Sequence, residues 1–278
     1  MKLTTKIVLG IIISIFLLSF CVIIGISFVD TEKYELRSNV KTSTIPQENI
    51  IAVDVEPYQT IRIDQVQIQE ERNVYPSGTI RVKPITGEEE KNKLFLPEEL
   101  LRFTEINSSN DTLIIRFKMD EFLDKYANRV KWITVSGVNI SAYTNTVDVI
   151  CSVSGIKVDV RNIVTDKINI HTSGEIEIDS CQANLIEPYM QNKSRRFLLK
   201  NSQVKILNID LDQMGNTWQI ENCDIEEENL TGSNRHSVNL SKSEAKIMNW
   251  IPKDKDAWLT VTLYGDTASI VFPANGTE

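Results

Sequence analysis

The residues that could do chemistry are few and far apart. The chain has two histidines, His171 and His236. A Ser or Cys nucleophile needs a base beside it, held by a third group, and neither histidine sits in a recognisable motif. His171 follows the Ile168-x-Ile170 alternation, which predicts an outward ring, and His236 falls in a polar stretch read as a loop. No catalytic residue is assigned. Cys151, Cys181 and Cys223 lack Cys-x-x-Cys spacing, so no metal site is expected. They are read as buried thiols. The alternative is a disulfide between two of them, should adjacent turns bring them within about 6 Å. No cofactor is called for.

Carboxylates are more plentiful. Asp148, Asp159, Glu175, Glu177 and Asp179 recur at positions expected to face outward, and Glu226-Glu227-Glu228 forms an acidic run. Paired carboxylates on a β scaffold can serve a glycosidase or a Ca²⁺-dependent lyase. The plainer expectation is a solvated face. The ligand-binding candidates are Tyr189, Arg195 and Arg196. They fall in Glu187-Pro-Tyr-Met-Gln-Asn-Lys-Ser-Arg-Arg196, read as a surface insertion of about eight to ten residues, where a ring can stack and guanidinium forks can donate.

Composition bounds the class. Of 278 residues, 41% are apolar and 24% charged, which suits a folded chain and excludes wholesale disorder. The net charge is −8, and of the basic residues only Lys2 and Lys6 precede Asp30. The part beyond Asp30 is therefore still more acidic, which argues against a nucleic-acid partner.

The elements that must position these residues begin with a membrane anchor. Ile7 to Val29 is 23 residues without a charge. As a helix it would span about 34 Å, enough to cross a bilayer. Lys2 and Lys6 before it and Asp30 and Glu32 after it predict a cytoplasmic N-terminus and an extracytoplasmic remainder, at the periplasm or cell surface. A cleaved signal peptide, cut near Gly25-Ile26-Ser27, is the alternative. Lipidation at Cys21 is disfavoured because Phe20 precedes it. Residues 31–50 are polar and read as a tether.

Residues 51–131 read as a strand-rich segment, with alternation at 58–64, 66–69, 79–83 and 112–118. Pro97 to Phe103 has room for a helical turn or two. Residues 119–130 read as one short helix, with Phe122, Leu123, Tyr126 and Val130 on one face. From Trp132 the pattern repeats. Apolar alternation meets a small residue at Ser136, Ser154, Ser173, Ser202, Cys223 and Ser243, at intervals of 18, 19, 29, 21 and 20. A period near 20 with alternating strands predicts a parallel β-solenoid over 132–273, whose successive turns stack Ile on Ile and Val on Val. The small residue is expected where the chain corners. An antiparallel sandwich is the alternative fold, but Asn-Gly and Asp-Gly hairpin dipeptides are absent from 132–272.

These residues resemble the auto-transporter adhesin head domain, or GIN domain, family. Tyr58-Gln-Thr-Ile61 is similar to its opening, Asp111-Thr-Leu-Ile-Ile115 to the strand before its solenoid, and Tyr264-Gly265-Asp266 to its close. Ser136-Gly137, Ser154-Gly155 and Ser173-Gly174 are similar to its repeated turns. After residue 174 the chain departs from the pattern, with Asn201-Ser202, Asn222-Cys223 and Lys242-Ser243 in place of Ser-Gly. The resemblance covers roughly 55–272. It implies an all-β, right-handed coil of bacterial origin with a role in surface adhesion, and it brings no catalytic residues.

The expectation is a single-pass protein that displays a non-catalytic binding or adhesion module of the cell envelope, with an envelope glycan or protein as ligand. Two alternatives are a structural component assembling through the solenoid ends and a polysaccharide-active enzyme.

Overall fold

The computed structural model describes residues 15, 17–20, 41–65, 73–118, 120–122, 132–214, 218–239 and 244–262. The described chain is all-β with short helical pieces, as expected. Two nine-stranded sheets carry it. The first runs in the order β16 (Trp218–Glu221), β14 (Phe197–Lys200), β12 (Ile176–Asp179), β10 (Ile156–Arg161), β4 (Asn73–Lys83), β8 (Trp132–Tyr143), β5 (Lys93–Pro97) and β2 (Ile50–Asp54), and β1 (Lys41–Thr44) also pairs with β8. The second runs in the order β19 (Ala245–Pro252), β17 (Asp224–Gly232), β15 (Gln203–Asp210), β13 (Gln182–Met190), β11 (Val164–Thr172), β9 (Val147–Cys151), β3 (Thr60–Gln65), β7 (Thr112–Phe117) and β6 (Thr104–Ser109). From β8 to β17 the chain alternates between the two, one strand in each. Neighbouring strands from β8 to β16 and from β7 to β19 pair in parallel. Those registers exclude the antiparallel sandwich. A small third sheet pairs β18 (Arg235–Asn239) with β20 (Trp258–Thr262).

The core is a set of side-chain columns. In the first sheet Ile140, Ile80, Val158, Ile176, Phe197 and Trp218 lie in register from strand to strand. Ala142, Val82, Val160, Ile178, Leu199 and Ile220 form a second column beside them. The second sheet contributes Leu113, Ile61, Val149, Ile170 and Pro188, then Val147, Ile168, Ile186 and Leu207. Nearly all are fully buried, and each Val or Ile contributes roughly 1.5–3 kcal/mol by leaving water. Glu228 occupies the next place after Leu207 and is itself buried, with Met248 beyond it.

Two kinds of corner join the sheets, and the apparent repeat mixed them. Passage from the first sheet to the second uses a left-handed residue: Asn162, Ser180, Asn201 and Asn222 have φ of 58°, 57°, 49° and 54°. Asn tolerates that region because its short side chain bonds locally. The next residue, Ile163, Cys181, Ser202 or Cys223, begins the following turn of the stack. Passage from the second sheet to the first uses Ser154-Gly155 and Ser173-Gly174. A Cβ at Gly174 would run into the carbonyl oxygen of Ile156. Ser136-Gly137 is not a corner at all. It lies inside β8, where Gly137 at φ 82° makes a bulge and the register with β4 slips at Ser77 and Gly78. The interval of 29 from Ser173 to Ser202 thus runs from one kind of corner to the other.

The expected insertion shrinks accordingly. Glu187, Pro188, Tyr189 and Met190 belong to β13, and Met190 is fully buried. Only 191–196 is loop, against 173–175 one turn earlier. Pro188 is the reason for the misreading, because proline ordinarily argues against a central strand.

Strands of the 51–131 segment share both sheets with those of 132–273. β4 lies between β8 and β10, and β3 between β7 and β9. The end of the stack nearest β1 is covered by antiparallel pairs, β2 on β5, β5 on β8 and β6 on β7. α1 (Glu98–Leu101) follows β5, and Leu100, Phe103 and Phe122 plug that end, the two rings meeting edge to face at 5.2 Å. Of the helix expected over 119–130, residues 120–122 are described and helical; the remainder lies outside the described residues. α2 (Leu211–Met214) replaces a turn after β15.

Among the described residues no helix is long and apolar enough to cross a membrane. Most of the span expected from Ile7 to Val29 lies outside them. Ile15, Leu17, Leu18 and Phe20 are helical with their apolar side chains exposed. The tether residues 31–40 also lie outside, and 41–50 contribute β1 and the start of β2.

Deleting 188–195 should lower Tm by at least about 10 °C, because it removes the end of β13 and its buried Met190. Deleting only 193–195, which leaves a connection as long as 173–175, should move Tm by no more than about 3 °C. Thermal melts of both proteins check this.

Candidate functional site

Three groups of side chains merit comparison as sites: the outer face of the first sheet, a Ser/His/Asp cluster after β17, and the outer face of the second sheet.

The first face is a lattice of alternating charge. β10 presents Lys157, Asp159 and Arg161, and β12 presents Glu177 and Asp179 with Glu175 just before it. β14 presents Leu198 and Lys200 and follows Arg196. Arg161 Nε donates to Asp159 Oδ1 at 2.8 Å, and Arg81 Nε approaches Oδ2 at 3.5 Å. Lys200 and Lys157 each place an ammonium on Glu177, at 2.9 and 3.0 Å. Asp159 is only 1% exposed and Glu177 8%, so these are not solvated surface acids, as the sequence had implied. Asp148, grouped with them in sequence, stands on the other sheet.

The electrostatics point away from acid catalysis. Burial alone would raise the Glu177 carboxyl, but hydrogen bonds from Lys200 and Lys157 outweigh it and bring it down to about 2. The Asp179 carboxyl is also lowered, first by the amide of Asn201. A glycosidase needs one carboxyl raised toward neutrality so that it can give a proton. Here both are held as anions by fixed donors.

The second group looks like a triad by composition but is wired differently. His236 Nε2 lies 3.0 Å from Asp212 Oδ1, and Ser233 Oγ donates to Asp212 Oδ2 at 2.8 Å. In a nucleophilic triad the imidazole stands between hydroxyl and carboxylate and takes the hydroxyl proton. Here the carboxylate stands between the other two. It also accepts from the Ser233 backbone N–H at 2.9 Å and from Lys253 Nζ at 3.1 Å. These bonds overcome burial and push the Asp212 carboxyl well below its ordinary range. The cluster fastens α2 to the turn that leads into β18. His236 is a residue of β18 rather than of a loop, and its ring also meets Trp250.

The outer face of the second sheet carries a continuous polar ladder. Thr60 Oγ1 donates to Asp148 Oδ2 at 2.7 Å, and Asn169 Nδ2 to Asp148 Oδ1 at 2.7 Å. Asn208 Nδ2 donates to Glu187 at 3.0 Å, Asn229 to Asn208 at 3.0 Å, and Asn249 to Asn229 at 2.9 Å. Strand registers place Asn169 beside Glu187 and so join the two runs. Lys167 caps Glu187 from the side and lowers its carboxyl. Along one edge of this ladder lie Ile150, 41% exposed, then His171 and Tyr189. The imidazole and phenol stack at 4.8 Å, with 24° between their planes. Groups that can donate and accept hydrogen bonds therefore recur every rung, about 4.8 Å apart, beside flat rings.

The structure separates the candidates of the sequence. Tyr189 lies on this second-sheet face, in a strand. Arg196 ends the 191–196 loop and reaches Glu175 at 4.0 Å on the side of the first sheet. Arg195 belongs to the same loop. The three do not share one surface. The ladder was missed, although it carried a signal: 169, 187, 208, 229 and 249 recur at intervals of 18 to 21 with Asn or Glu at each.

Cys151, Cys181 and Cys223 are free thiols. Cys181 and Cys223 occupy the same corner two rungs apart, with Ser202 between them, and the Cys181 N–H donates to the Ser202 hydroxyl. Two rungs are about 9.6 Å, beyond the reach of a disulfide. Burial pushes the Cys151 thiol up to about 11, which suppresses thiolate chemistry. Among the described residues no group of three His, Cys, Asp or Glu side chains is placed to hold a metal.

No family model matches the chain, and no curated protein matches it. Several solved structures are similar. A "putative adhesin" from Bacteroides fragilis is 12% identical with a TM-score of 0.44, covering 80% of this chain and 100% of its own. Another from Parabacteroides merdae is 8% identical with a TM-score of 0.35, at 80% and 100% coverage. A "putative lipid binding protein" from Parabacteroides distasonis is 12% identical with a TM-score of 0.36, at 81% and 98%. All these scores fall below 0.5, so the functional reading rests on this chain's own residues.

Replacing Glu177 with Gln should cost about 1–3 kcal/mol at pH 7, because two ammonium groups lose their anion. A carboxyl lowered in the fold adds stability that is present above its unfolded value near 4.5 and fades as pH falls toward 2. Between those values wild type should lose stability and E177Q should lose less. Denaturant melts at pH 7, 4.5 and 3 check both statements.

Proposed function

We propose that this chain is a single-pass membrane protein with its N-terminus in the cytoplasm, displaying a right-handed parallel β-solenoid of the GIN type outside. Its role is that of a non-catalytic adhesion or binding module of the cell envelope. The single observation that carries the binding reading is the outer face of the second sheet. Its amides and carboxylates recur from strand to strand, and the stacked His171 and Tyr189 rings lie beside them. Polar groups repeated in register with aromatic planes suit an extended ligand that itself repeats, and an envelope polysaccharide has that chemistry. The wiring of Asp212, Ser233 and His236 and the lowered carboxyl of Glu177 support a role without catalysis. The anchor rests on the uncharged run from Ile7 to Val29 and the lysines before it.

A second reading, assembly through the end of the stack, is favoured by β19. Among the described residues it pairs on one side only, with β17, and Ile247 and Ile251 are 57% and 49% exposed on it. Such an edge is a template for another strand.

Binding of the detergent-solubilised full chain to immobilised envelope polysaccharide tests the first reading. Tyr189→Ala with His171→Ala should weaken it at least about tenfold at unchanged Tm, in line with the loss of ring stacking. Undiminished binding would remove this face from the site. For the second reading, Ile247→Lys should turn oligomers into monomers in analytical ultracentrifugation; a wild-type chain already monomeric at tens of micromolar would reject it.

A further inference from the structure

Another aromatic pair lies on the first sheet, on the neighbouring strands β4 and β8. Tyr75 and Trp132 are each 43% exposed, and their rings stack at 5.8 Å with 13° between planes. Tyr75 stands near the start of β4 and Trp132 is the first residue of β8. Both point outward from the first sheet, since Val74 and Ile133 beside them point into the core. Asn73, Thr134 and Thr42 lie in register with the pair and carry no charge. Two large exposed rings stacked side by side form a distinct patch on this face.

Its position is what gives it meaning. β1 pairs with the first residues of β8, Lys41 opposite Ile133, so the chain joins the sheet immediately beside Trp132. Residues 30–40 are all that separates β1 from the apolar run ending at Val29. Eleven residues reach at most about 40 Å when fully extended. The corner carrying Tyr75 and Trp132 is therefore tethered close to the point where the anchor would leave the bilayer. Trp and Tyr are the residues that settle at the headgroup level, with an apolar ring body and one polar group.

We propose that Tyr75 and Trp132 dock into the interfacial region of the membrane that holds the anchor. Docking there keeps the β1 end of the stack at the bilayer. The far end of the first sheet, at β16, then lies five strand spacings from β8, about 24 Å along the stack. The proposal rests on the anchor reading given above. It explains why a stacked aromatic pair is exposed beside β1, where two neighbouring strands begin, and it assigns the occupant as phospholipid headgroups and upper acyl chains rather than a soluble ligand.

The test uses the full chain reconstituted into phosphatidylcholine vesicles, with and without lipid brominated on the upper acyl chain. The four tryptophans all lie beyond residue 130, so emission reports only on the exported part. The expected result is loss of roughly a quarter of the emission, one indole in four. Trp132→Phe should abolish that quenching, and Trp258→Phe, which removes another exposed indole, should leave it intact. Tyr75→Ser should reduce it at unchanged Tm. A chain that resists carbonate extraction yet shows no bromine quenching would overturn docking and leave the anchor standing. A chain stripped by carbonate would overturn the anchor reading and docking with it. A shift of Trp132 emission on adding soluble oligosaccharide without lipid would assign the pair to a glycan and likewise overturn the proposal.

Discussion

Registry between successive rungs is the constraint on which everything else depends. Parallel strands about 4.8 Å apart place like positions above one another, so each column is a single continuous contact along the axis. Ile140, Ile80, Val158, Ile176, Phe197 and Trp218 show what that demands. Each must be apolar, and each must meet the one before. A slip of one residue in any strand would turn its core side chains outward and its charges inward. The left-handed corners at Asn162, Ser180, Asn201 and Asn222 set the phase at which each new strand begins.

The same registry that builds the core aligns the outer faces. Because strands superpose, an Asn in one turn finds an Asn in the next, and the ladder through Asn208, Asn229 and Asn249 follows. On the first sheet, superposition brings the acids of β12 between the bases of β10 and β14. This is why Glu177 is buried and yet its carboxyl is lowered. Buried carboxylates on a β scaffold invite a catalytic reading until their partners are counted. Lysine donors at about 3 Å turn Glu177 into a fixed anion that locks β10 and β14 onto β12.

Interleaving of the first turns is less expected. The strand order places 73–83 between 132–143 and 156–161. The stack therefore cannot be completed in simple chain order. β4 leaves a place beside it that β8 fills after β5, β6 and β7 have been laid down. Such long-range pairing carries a larger loop-closure cost than consecutive turns do. In return, the end nearest β1 is covered by antiparallel strands and by Phe103 and Phe122.

By itself the sequence determined the all-β class, the inward positions of most Ile and Val residues, and a recurrence near 20 residues, because alternation and period are local properties. It also showed, unrecognised, the recurrence that becomes the polar ladder. It misjudged Pro188, Tyr189 and Met190, since a proline's cost in a strand depends on which neighbours surround it. It merged two kinds of corner, because Ser and Cys are small in both. Only the tertiary structure decided which sheet each strand joins, and with it which charges meet. Asp148 and Asp159 are eleven residues apart in the chain yet stand on different faces; Tyr75 and Trp132 are 57 apart yet stack. The pairing of distant strands, not the spacing of residues along the chain, sets those distances.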